Sequence, residues 1–89
     1  MEISAQAVMI AIRSTVIERC RLVDLIQASD IETIDAEHLS EQVMDIDKAL
    51  GELAGLYIAA LNEDRGYPDF DTVVTNAEKA WSSMRSDAG

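Results

Sequence analysis

Residues 36–62 read AEHLSEQVMDIDKALGELAGLYIAALN, and one periodicity runs through the whole stretch: Leu39, Val43, Ile46, Leu50, Leu53, Tyr57 and Ala60 recur four and three residues apart. Alternation of four and three keeps apolar side chains on one stripe of a 3.6-residue helix, as in the seam of a helical bundle. The spacing predicts a single helix over about 36–62, a rod about 40 Å long at 1.5 Å per residue. Asp35 is placed to cap it, with Ile34 and Leu39 as a hydrophobic staple and Glu37 near the positive end of the helix dipole. At the other end Gly66 suits the left-handed position after the last turn, and Pro68 cannot continue a helix.

A seam of that length needs partners, and both flanks supply them. Upstream, a helix is expected over about 4–28, capped by Ser4, with Ala5, Met9, Ile12, Val16, Cys20, Val23 and Ile26 on its main buried face. A second stripe on that helix, Ile3, Ile10 and Ile17, calls for a second neighbour. Downstream, Asp69 or Asp71 caps a helix over about 70–85, whose inner face is Phe70, Val73, Val74, Ala77, Ala80, Trp81 and Met84. Residues 86–89 are expected to fray. The fold class is therefore all-α: an antiparallel helical hairpin plus a shorter third helix, a three-helix bundle with room for a dimeric version. The third helix is expected to close the hairpin across the C-terminal half of the second.

Composition agrees with one domain. The chain has 89 residues, 48% of them hydrophobic, with a single Pro and four Gly, so burial can offset the entropy of ordering and nothing favours strands. Seventeen acidic residues against seven basic ones leave a net charge of −10. That charge repels nucleic-acid phosphates and anionic lipid, so direct nucleic-acid or membrane binding is disfavoured and a basic protein partner is favoured. The lone Cys20 cannot make an internal disulfide and reads as a small core hydrophobe. The apolar run over 7–12 is too short to span a bilayer and lacks a basic leader, so the expected location is cytoplasmic.

Two local features stand out. Opposite the seam, the first half of the long helix carries Glu37, Glu41 and Asp45, part of an acidic stretch with Asp30 and Glu32 that contains no Lys or Arg. Like charges four apart on a helix repel by a few tenths of a kcal/mol each, so the row is either a plain solvated face or a docking surface for cations. Beyond Lys48 the same side carries Gly51, Gly55 and Ala59. Each Gly costs about 1 kcal/mol of helix stability relative to Ala, so a close approach is expected there, either by the third helix through Phe70 or Trp81 or by a second copy of the chain. Residues 53–61, apolar almost all round, are expected to be enclosed.

No catalytic, cofactor or metal site is expected. His38 has Asp35, Glu41 and Gln42 nearby, yet no second His exists in the chain and the facing helix offers only Glu18 and Asp24. An acyl carrier protein would match in size and charge, but it needs a Ser after an Asp at the start of its second helix, and Ser40 follows Leu39. The general look resembles small acidic helical inhibitors of phage or plasmid origin, a likeness of size, charge and helicity only. Two functions follow as expectations. The first is a stoichiometric inhibitor or adaptor of a basic or nucleic-acid-handling protein, in the extreme a mimic of nucleic-acid phosphate, docking through the acidic row. The alternative is an assembly subunit or homodimeric scaffold that binds a partner helix through apolar stripes. A metal-dependent enzyme is a remote third.

Overall fold

The computed structural model describes residues 4–28 and 33–88, and among them the chain is three helices with no strand: α1 (Ala5–Ile26), α2 (Thr33–Glu63) and α3 (Phe70–Ala88). The all-α bundle expected from the seam is the observed fold. Helices α1 and α2 form the antiparallel hairpin, with Arg19 of α1 bonded to Asp47 of α2 at 2.7 Å. The molecule measures 47 × 28 × 18 Å, and its long axis matches α2, about 46 Å long for 31 residues.

The helix ends show how local chemistry sets the boundaries. Ser4 caps α1 as expected, its hydroxyl oxygen accepting from the Ala7 N–H at 3.1 Å. α2 starts at Thr33, before the expected cap, so Asp35 sits inside the first turn with its carboxylate near the positive end of the dipole. No Gly or Pro opposes that extra half turn. It also removes the expected staple: Ile34 becomes part of the helix on the side away from the seam and is 67% exposed.

After α2, Gly66 is not left-handed, since no glycine among the described residues has a positive φ. The turn is made instead by Asp64, whose Oδ1 accepts from the Gly66 N–H at 3.2 Å, an Asx turn in place of a left-handed cap. Asp69 rather than Asp71 caps α3, its Oδ1 accepting from the Thr72 N–H at 2.9 Å. Hydrogen bonds from Thr72 hold the Asp69 carboxyl below the usual carboxylate range. α3 continues to Ala88, so residues 86–88 are helical where fraying was expected.

The core gathers Ala5, Val8, Ile12 and Val16 of α1, Tyr57 of α2, and Val73 and Ala77 of α3. Every seam residue of α2 is at least half-buried, and Tyr57 is completely enclosed. The buried arc of α1 is wider than the expected stripe, because Val8 and Leu22 join it while Met9 and Cys20 stay half-buried. That width reflects two neighbours, for α1 is packed by α2 and also by α3.

The placement of α3 departs from expectation. It lies along α1 and barely meets α2. Two anchors fix it there. The Tyr57 hydroxyl donates to the Pro68 carbonyl at 2.6 Å, holding the turn before α3. Farther along, Asp24 of α1 accepts from the Trp81 indole N–H at 2.7 Å and from Arg85 at 2.9 Å. These bonds keep the Asp24 carboxyl below its ordinary range, Arg85 first and Trp81 second. An indole N–H next to a core has to find an acceptor, and for Trp81 the acceptor is on α1. α2 is therefore left without a second neighbour.

A candidate protein-docking face on α2

With α1 on one side of α2 and α3 elsewhere, the whole opposite face of a 31-residue helix is open. In its first half Glu37, Glu41 and Asp45 are all exposed, about 6 Å apart along the axis. None forms an ion pair among the described residues, whereas Asp47, on the flank of α2 nearer α1, is taken by Arg19. The other two acids expected to belong to this surface, Asp30 and Glu32, lie outside the described residues.

The second half of the same face corrects an expectation. Residues 53–61 are not enclosed all round: Tyr57 is buried, but Leu56 is 49% exposed and Ile58 58%, and Met44, one turn before Lys48, is 61% exposed. Gly51, Gly55 and Ala59 are exposed as well. A Cβ built on Gly51 or Gly55 meets nothing within 4 Å, so no part of this chain makes the close approach that the glycines would permit. Phe70 packs on the main core and Trp81 is held by Asp24, so neither side chain fills the groove. The cause is the choice of α1 as the seat of α3.

His38 is exposed, and no group of three or more His, Cys, Asp or Glu side chains among the described residues could hold a metal ion. Cys20 is half-buried against the core, and burial, with the nearby charges of Glu78 and Asp24, pushes its thiol up, away from the reactive thiolate. Among the described residues no helix is long and apolar enough to cross a membrane. The sequence reading missed the Asp24 anchor, having weighed that residue only as a metal ligand. The signal available was Trp81, which needs a buried or half-buried acceptor within reach.

Comparison of the chain with protein-family models, with curated protein sequences and with solved structures finds no match. The face is accordingly read from its own chemistry.

Proposed function

We propose that the protein is a stoichiometric binding module, an inhibitor or adaptor that engages a basic, nucleic-acid-handling protein through the outward face of α2. The observation that carries this reading is the row Glu37, Glu41 and Asp45, exposed and without ion-pair partners among the described residues. No ion pair among the described residues offsets their mutual repulsion, and a partner's Lys or Arg side chains would offset it while steering the encounter. A net charge of −10 extends that steering field over the molecule and turns away competing polyanions. A Lys-rich helical peptide serves as the probe. Its affinity is expected to fall at least tenfold between about 50 and 500 mM salt, because exposed charges more than a few ångströms apart are screened over that range. An affinity flat across the range overturns the reading.

A second reading has its own support, the open Gly51 and Gly55 beside exposed Met44, Leu56 and Ile58. Here the second half of α2 takes a helix of a partner or of another copy, and the acidic half serves solubility. The glycines separate the cases. In a chain that works as a monomer, Gly51→Ala with Gly55→Ala adds only helix propensity, about 2 kcal/mol in sum, and raises the melting temperature by on the order of 10 °C. If the folded form depends on close helix contact at this stripe, the same double variant melts lower and its melting temperature loses any dependence on protein concentration.

A further inference from the structure

On the far end of the molecule from the acidic row, α1 and the start of α3 leave a cleft of about 220 Å³ lined by Met9, Ile10, Arg13, Pro68, Val73 and Asn76. Val73 is buried and Met9 half-buried, so the inner part is apolar, while Ile10 stands 54% exposed at the mouth. Arg13, an exposed residue, lines the same cleft. Arg19, Arg21 and Arg85 are engaged by Asp47, Glu18 and Asp24, whereas Arg13, like Lys48, Arg65 and Lys79, makes no ion pair among the described residues, and of these four it is the one that lines the cleft. One wall is also rigid. Pro68 is fixed by the Tyr57 hydroxyl at 2.6 Å, and the next residue, Asp69, is tied into the cap of α3. A wall held before any ligand arrives reduces the ordering cost of binding.

Size and charge narrow the occupant. The cleft, at about 220 Å³, falls below the roughly 300–1,000 Å³ of sites for drug-sized ligands, which favours a small occupant over a nucleotide or a large cofactor. One cation in a strongly negative molecule suits a single negative charge and disfavours a dianion such as a phosphate monoester. We propose that the cleft binds a small monocarboxylate with a short unbranched apolar tail, the tail lying against Met9, Ile10, Pro68 and Val73. The carboxylate accepts from the Arg13 guanidinium, with the Asn76 amide as a second donor. This inference is independent of any role for α2.

Octanoate is the probe, titrated into the full chain labelled with nitrogen-15, with octanol in parallel. Saturable shifts confined to Met9, Ile10, Arg13, Val73 and Asn76 are expected, with Kd on the order of 1 mM for so small a ligand. Arg13→Gln, at an exposed position, is expected to leave the rest of the spectrum unchanged and weaken octanoate about tenfold, whereas Arg21→Gln leaves the affinity as it was. Octanol, with the tail and without the charge, is expected to bind at least about fivefold more weakly than octanoate. Shifts that fail to saturate, equal affinity for octanol, or equal affinity in Arg13→Gln would each overturn the assignment.

Discussion

Replacing Tyr57 with alanine is expected to remove most of the chain's stability at 25 °C. Tyr57 is fully enclosed, and among the described residues it is the one fully buried α2 residue in the core, with Leu50, Leu53, Ala60 and Leu61 packed against it only in part. Truncating a buried aromatic side chain costs about 3–5 kcal/mol, and a chain of 89 residues sits at the low end of the usual 5–15 kcal/mol of total stability. The loss is compounded by geometry, because the same side chain supplies the hydrogen bond to Pro68 that sets the direction of α3. Tyr57→Phe isolates that part. It keeps the ring and orphans the Pro68 carbonyl, and a loss of about 1–2 kcal/mol is expected. Urea denaturation followed by circular dichroism measures both. A Tyr57→Ala chain that still unfolds cooperatively within about 1 kcal/mol of the parent would show that the core is elsewhere.

Reversing three charges at once, Glu37→Lys with Glu41→Lys and Asp45→Lys, is expected to abolish binding of the Lys-rich helical probe, by about 100-fold or more, without harm to the fold. All three side chains are exposed and none is paired among the described residues, so their replacement breaks no observed contact. Each reversal adds two charges, so the net charge moves from −10 to about −4 and the long-range attraction falls along with the local one. To separate the two, exposed positions off α2 can be changed instead, Asp71→Lys and Glu78→Lys with Ser14→Lys and Ser82→Lys, reaching the same net charge of about −4 with the whole outward face of α2 intact. Retained binding in that second variant and loss in the first assigns recognition to the row. Equal weakening in both reduces the effect to net charge, and indifference in both leaves the apolar half of α2 as the docking surface.

Much of the architecture could be read from α2 alone. Its seam alternates strictly between four and three, and all seven seam residues are the inward ones in the structure. Such a one-sided stripe has a single solution, and the face opposite it had to be outward, which placed Glu37, Glu41 and Asp45 correctly. The position of α3 was not readable in the same way. α1 and α2 both had apolar surface to spare, and the deciding bond joins Trp81 to Asp24 across 57 residues of chain, with no local pattern to announce it. The expectation that α3 would cover Gly51, Gly55 and Ala59 failed for a related reason, since small apolar residues look buried by composition whatever lies next to them. At Gly66 the error was one of alternatives: Asp64, two residues earlier, offers an Asx turn that needs no left-handed backbone.

The bond between Trp81 and Asp24 also gives the molecule a built-in reporter. Trp81 is the only tryptophan, and it stands where α3 meets α1, away from the α1–α2 seam. Its emission therefore reads the seating of one helix alone, whereas the far-ultraviolet dichroism reads all three. Should α3 lift away before the hairpin melts, the two signals would part company along a denaturant series, and coincident curves would mark the three helices as one cooperative unit.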